Sequence, residues 1–175
     1  MVLCWLTRSR KVFDVGERLT HVDETGAARM VDVSDKVPSG RRAVALGEVR
    51  TTPDVIELLR ENALPKGDAL AVARVAGIMG AKQTPALIPL CHPIALHGVS
   101  IELVLERSAV QISATAKTAD RTGVEMEALT AVATAGLALI DMIKAVDPAA
   151  SIERVRVVRK EGGKTGEWTR PEDRP

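Results

Sequence analysis

The sequence predicts an α+β sandwich, an antiparallel sheet with helices packed on one face, and three observations carry that expectation. Alternating apolar stretches at 43–51, 99–106, 110–118 and 152–158 have the period of strands, and the middle two are close enough to form a hairpin. Helical segments are segregated, two in succession after the first strand and one after the hairpin. The 175 residues are 46% hydrophobic, enough for one buried core and the size of one domain.

Each element has its own warrant. Residues 1–18 show no periodicity and read as a flexible leader, which takes Cys4 and Trp5 with it. Residues 19–42 mix charges, Gly and Pro around Met30-Val31-Asp32-Val33, an extended arm with at most one strand. Ala43 to Thr51 alternates as a strand. Thr52-Pro53-Asp54 opens a helix that Pro65 stops after Leu64. Asp68 is placed to cap the next helix, Ala69 to Lys82, where Ala71, Val75 and Ile78 recur at helical spacing. In that helix Ala73, Ala76, Gly77 and Gly80 permit close packing, and each Gly costs about 1 kcal/mol relative to Ala, which packing must offset. Pro85, Pro89 and Pro93 frame a loop that holds Leu90-Cys91-His92.

Strands at Val99–Glu106 and Val110–Thr118 follow, turned by Arg107-Ser108-Ala109. Thr122-Gly123-Val124-Glu125 has the spacing of a capping box. The helix it starts runs to Val146, roughly 36 Å. From Leu129 to Ile140 it is apolar nearly all round, which predicts burial on both sides, one of them against another subunit. Ile152 to Val158 gives the last strand, and 169–175 form a polar tail.

Composition narrows the function. Two Trp, one Phe and no Tyr argue against a protein that stacks single-stranded nucleic acid on aromatic rings. Lys and Arg total 24 against 23 for Asp and Glu, so no global field draws nucleic acid or a membrane, and any anion site is local. Cys4 and Cys91 form no CxxC pair, which leaves neither a disulfide framework nor a zinc pattern. The apolar run Leu129–Ile140 covers only about 18 Å as a helix, too short to cross a bilayer. Basic residues follow the apolar Met1–Leu6, whereas a signal peptide has them first. These features are those of a cytoplasmic protein.

Several groups have the residue types that chemistry needs. Asp141 and Lys144, three apart on a helix, are able to share a pocket and move protons or neutralise phosphate, or to form an ordinary surface ion pair. Lys66 before a helix N-terminus fits a phosphate cradle, though a solvated surface Lys is the commoner case. Gly162-Gly163-Lys164-Thr165 is no P-loop, because Val158 stands where the first Gly belongs and no helix follows, but it fits a flexible basic loop that touches phosphate. Adjacent side chains of an extended segment diverge, so Cys91 and His92 do not serve each other, while His92 alone has the chemistry of a proton or hydrogen-bond donor and equally fits a structural role in its Pro-framed loop. Glu125 and Glu127 suit a helix start, and also the edge of a guanine-like base. Glu127 and Asp141 are 14 residues apart, about 21 Å along one helix. If both serve one small-molecule site, they come from different chains.

Four segments taken together are specific: LTHVDETGAARMVDVSDK (19–36), KGDALAVARVAGIMGAKQTPALIPLCHP (66–93), TGVEMEALTAVATAGLALIDMIKAV (122–146) and KEGGKTG (160–166). They resemble the cyclic pyranopterin monophosphate synthases, the molybdenum cofactor biosynthesis protein C family, over residues 19–168. The resemblance implies ferredoxin-like subunits assembled as dimers and then hexamers, a trimer of dimers. It implies turnover of 3′,8-cyclo-7,8-dihydro-GTP, supplied by a radical S-adenosylmethionine GTP cyclase, to a pyranopterin with a cyclic phosphate, releasing pyrophosphate. Carried onto this sequence it implies Lys66 and Lys144 as acid and base, with Asp141 beside Lys144. Leu90, Cys91 and His92 with Met126 and Glu127 match the substrate-binding positions, and Glu125, Arg41, Asp32, Lys160 and Lys164 are expected to complete the pocket. It implies no cofactor and no protein-held metal; magnesium on the pyrophosphate stays an open alternative.

Two rivals come from other classes. A binding module that kept the pocket would bind the GTP derivative without turnover. A metal-dependent phosphohydrolase would need the clustered His and carboxylate residues that this sequence lacks.

Overall fold

The computed structural model describes residues 25–164 and 166–173. The chain divides into two units, 1–31 and 32–175. Of the first, residues 25–31 are described and form no helix; the leader 1–18, with Cys4 and Trp5, lies outside the described residues. No strand forms at Met30–Val33.

The second unit contains β1 (Ser39–Arg50), α1 (Pro53–Arg60), α2 (Ala69–Lys82), the single turn α3 (Thr84–Leu87), β2 (Leu96–Leu105), β3 (Ala109–Asp120), α4 (Glu125–Ile143), β4 (Ser151–Glu161) and the two-residue β5 (Trp168–Thr169). Every paired strand is antiparallel, in the order β2-β3-β1-β4-β5. The inner four strands with α2 and α4 as crossovers make the split βαβ pattern of a ferredoxin-like fold, with β5 added at the β4 edge.

Alternation along the central strands decides which face is core. Ala43, Ala45 and Val49 of β1 and Val110, Ile112, Ala114 and Ala116 of β3 are completely buried, whereas Gln111 and Lys117 are exposed. Small side chains on these two strands let α4 lie close to the sheet, and its Val132, Leu139 and Ile143 fill the space between. α2 packs on α4 and β2. A Cβ on Gly77 would stand 3.0 Å from the Ala131 carbonyl oxygen, so the two helices approach to backbone contact there. That packing answers the cost of two Gly in α2.

The expected caps hold for the short helices: Thr52 accepts from Val55 N at 3.4 Å, and Asp68 from Ala71 N at 2.9 Å. α1 ends four residues early, at Arg60, because Asn62 takes the left-handed conformation with φ 52°. The capping box does not form. Val124 is the cap of α4, no side chain bonds there, and Lys160 holds Glu125 instead. Val75 is 56% exposed, so the buried face of α2 is Ala69, Ala73, Gly77, Gly80 and Ala81. α4 has one buried side; Leu137, 62% exposed, marks the open one. By length and apolarity α4 is the one described helix able to span a membrane, and half of its apolar window is buried inside the protein.

Candidate active site

The two ends of α4 carry two separate charged clusters. At its C-terminal end Lys144 Nζ lies 2.7 Å from Asp141 Oδ1, the i,i+3 pair expected from spacing. Lys66, in the loop between α1 and α2, donates to Asp141 Oδ2 at 3.0 Å and to the Asp141 backbone carbonyl at 2.7 Å. Lys66 therefore does not stand alone at a helix start; it is tied to the last turn of α4, where a cation also answers the helix dipole. Hydrogen bonds from Lys144 and Lys66 hold the Asp141 carboxyl below the usual carboxylate range, so it is an anion between two ammonium groups. All three side chains are open to solvent.

At the other end, β1, β4 and the start of α4 enclose a cavity of about 190 Å³. Arg41, Arg42, Lys160 and Lys164 line it against Glu125 and Glu161, a net excess of positive charge. Lys160 Nζ is 3.3 Å from Glu125 Oε1. Arg41 is fixed by donating its Nε–H to the Asp120 carbonyl at 2.9 Å. Two glycines make room for it. Gly162 and Gly163 both have positive φ, a Cβ on Gly162 would run into the Gly40 carbonyl oxygen, and one on Gly163 would sit 2.5 Å from the Arg41 guanidinium. The GGK string is thus a close-packed turn that brings Lys164 to the cavity rim.

Glu127, in the first turn of α4, is 3% exposed. Burial pushes its carboxyl up, with Glu125 adding to the shift. Cys91 is half-buried on the loop after α3; burial, then the nearby Glu127 charge, push its thiol up. A thiol raised in this way is poorly suited to act as a nucleophile. Asp32 accepts from Ser34 N at 2.9 Å and from Ser34 Oγ at 2.7 Å, bonds that lower its carboxyl, helped by the field of His92. His92, Cys91, Asp32 and Glu127 therefore share one neighbourhood. Leu90 and Met126 are on the same loop and the same first turn, and Met126 is 36% exposed.

Of the residues expected from sequence, Lys66, Asp141 and Lys144 form one group, and Arg41, Glu125, Lys160 and Lys164 another. Along α4, Glu125 and Asp141 are 16 residues apart, which keeps the groups about 24 Å apart within a chain, and Glu127 is about 21 Å from Asp141. Arg42 and Glu161 were not foreseen, because only strand register reveals that they face the cavity, whereas the Gly162-Gly163 turn was expected as a basic loop able to touch phosphate. Among the described residues no group of three His, Cys, Asp or Glu side chains is arranged to hold a metal ion.

A ferredoxin-like α+β subunit with a cationic, carboxylate-bearing cleft has the charge to hold a small anionic molecule. The MoaC family matches residues 30–163. The chain is 61% identical over 157 residues to the cyclic pyranopterin monophosphate synthase of Streptomyces coelicolor, covering 90% of this chain and 92% of that one. It is 60% identical over 161 residues to the synthase of a Nocardioides species, 90% and 99% covered. Cyclic pyranopterin monophosphate synthase 2 of Mycobacterium bovis is 57% identical over 152 residues, 87% and 91% covered. This chain belongs to the MoaC family. It is an enzyme of molybdenum cofactor biosynthesis, and lyase chemistry is consistent with that place.

Proposed function

We propose that this chain converts 3′,8-cyclo-7,8-dihydro-GTP to cyclic pyranopterin monophosphate and pyrophosphate by Lys/Asp acid–base catalysis. The observation that carries this reading is Asp141, ionised between Lys66 and Lys144. Each ammonium is a proton donor, and once deprotonated an acceptor, while the carboxylate keeps both amines aimed at one point and answers their charge. The rearrangement is a series of proton transfers and bond shifts with no net redox change, so these residues suffice and no cofactor is needed. Magnesium on the departing pyrophosphate is compatible with the scheme.

The basic cleft of Arg41, Lys160 and Lys164 has the charge to take phosphate oxygens. Glu125 and Glu127, with Leu90, Cys91, His92, Met126 and Asp32 around them, have the acceptors that a guanine-like edge requires. One small molecule does not bridge two clusters 21 Å apart. The site therefore takes the Lys66–Asp141–Lys144 end from one chain and the Glu127 end from a second. Two copies meeting antiparallel along the open face of α4 would bring those ends together, a dimer that repeats in a trimer of dimers. The protein works in the cytoplasm after a radical S-adenosylmethionine cyclase, with neither nucleic acid nor membrane as partner.

The test is turnover of the purified cyclic GTP derivative, following pyrophosphate and pterin product, with Lys144→Ala alongside. Product from the native chain that collapses in the variant is expected. A folded native chain that binds the substrate and forms no product overturns the reading.

A further inference from the structure

Past the cavity of the GGK turn, the chain makes a short fifth strand whose first residue, Trp168, is the only Trp, Tyr or Phe side chain among the described residues. Trp168 pairs with Lys160, and Lys160 pairs with Ala43. Residues opposite each other on neighbouring antiparallel strands put their side chains on the same face. Ala43 is wholly buried under the helical layer, so Lys160 and Trp168 lie on the face that carries α4. The contacts agree: Trp168, Val157, Lys160, Glu125 and Glu167 line a cavity of about 410 Å³. That volume lies within the range that accommodates a small ligand.

The indole is braced before any ligand arrives. The Arg170 guanidinium lies 5.7 Å from the ring centroid, a cation–π contact. Arg170 donates its Nε–H to the Val157 carbonyl and its backbone N–H to the Val158 carbonyl, both at 2.8 Å. Glu167 is tied to Arg159 at 2.8 Å. A sheet edge needs no half-buried tryptophan to end, and this one is fixed beside a carboxylate–ammonium pair. Flat apolar wall, acceptor and donor together fit a fused, polar heteroaromatic ring, whose face stacks while its edge hydrogen-bonds.

We propose that Trp168 is a substrate-positioning residue that stacks on the purine-derived ring of the substrate, with Glu125 and Lys160 at the ring's edge. This rests on the reaction proposed above and names which surface holds the base. The reacting bonds are left to other groups, so the effect belongs in substrate binding.

The experiment has two arms. Trp5→Phe leaves Trp168 as the one tryptophan, and Lys144→Ala in the same chain keeps the substrate intact. Titration of that protein with the cyclic GTP derivative should quench the indole emission to saturation. In the otherwise native chain, Trp168→Ala should raise KM roughly 5- to 150-fold, the range that base–aromatic stacking spans, with kcat far less changed. Trp168→Phe should recover most of the loss, which separates stacking from a collapse of β5. Unchanged emission at saturating substrate, or a native KM in Trp168→Ala, overturns the assignment. Turnover by the native chain in either case leaves the reaction standing, whereas a native chain that forms no product removes the reaction first.

Discussion

Substituting Gly80 by Ala pits local helix preference against helix packing. In an isolated helix the change is favourable by about 1 kcal/mol. Here the new Cβ would fall inside van der Waals distance of Thr134 Oγ1 and 2.6 Å from the Thr134 Cβ. Rotating the Thr134 side chain leaves its Cβ where it is, and the hydroxyl is already committed to the Thr130 carbonyl at 2.7 Å. The remaining escape is separation of α2 from α4, the most extensive helix pairing in the molecule. Overpacking of this kind costs about 1–3 kcal/mol, so the net change is a loss of up to about 2 kcal/mol. For a chain of this length that is a fall in Tm of up to about 8 °C. Far-UV circular dichroism at fixed protein concentration measures it, since assembly would otherwise shift the midpoint. In a Thr134→Ala background two of the three close contacts vanish and the loss should shrink, a coupling of at least about 0.5 kcal/mol. A Gly80→Ala protein that melts higher than the native one would refute the packing argument.

The remaining expectations concern charge and assembly. Asp141→Asn should lower turnover roughly 10²- to 10⁴-fold with the melting midpoint nearly unmoved, because its ion pairs are exposed; parallel loss of stability and activity would make the cluster structural. Burial raises the Glu127 carboxyl, so the folded state holds its proton longer than the unfolded chain does. Its contribution to stability is full below the unfolded value of about 4.3 and is lost as pH rises through the folded value. Glu127→Gln should remove that fall and be the more stable protein at neutral pH, and urea midpoints that run parallel from pH 4 to 8 (a range of about four units) would show the carboxyl does not titrate in this way. Lys144→Ala and Lys160→Ala, each inactive alone, should recover about a quarter of native sites when their chains are mixed and allowed to exchange. No recovery after demonstrated exchange would assign both ends of α4 to one chain's site.

How much of this was legible in sequence follows from the range of the forces involved. α2 was foreseen to the residue because Asp68 caps it locally and Gln83 closes it. Four of the five strands were foreseen by period, and β5 was missed. Six ends of those four fell short by one to four residues, since ladder hydrogen bonds extend pairing beyond the apolar stretch, and two overran by one, at Thr51 and Glu106. The capping box at Thr122 failed for a long-range reason: Lys160, 35 positions on from Glu125, takes the carboxylate the box requires. α3 was hidden by Pro85, which reads as a breaker yet sits comfortably in a first helical turn. Val75 was misplaced because Gly and Ala, with no apolar signature, form the buried stripe of α2. At the site, the i,i+3 pair of Asp141 and Lys144 was readable, while the third member of the group, Lys66, is 75 residues away and only the fold brings it in. Trp168 gave no signal, as its partners Lys160 and Glu125 are set by register alone.

Under the proposed reaction, the division of charge along α4 gives a reason for a nearly neutral chain to take a polyanion as substrate. A single chain that gathered Lys66, Lys144, Lys160, Lys164 and Arg41 at one point would have to hold like charges together without a ligand to answer them. Kept at two ends, each group has its own counter-ion: Asp141 answers two ammonium groups, and Glu125 answers Lys160. Each end also suits the helix, with carboxylates in the first turn and a lysine past the last. Under the proposed antiparallel pairing, the cations converge only when a second chain docks, and they face a cavity where a phosphate chain replaces the missing negative charge. Assembly of that kind would create the anion field, and the open face of α4, Leu137 included, would supply the apolar contact that favours it. On this argument the exposed leucine and the paired lysines have a common purpose, and a charge placed at Leu137 would weaken turnover through the dimer without touching any residue of the site.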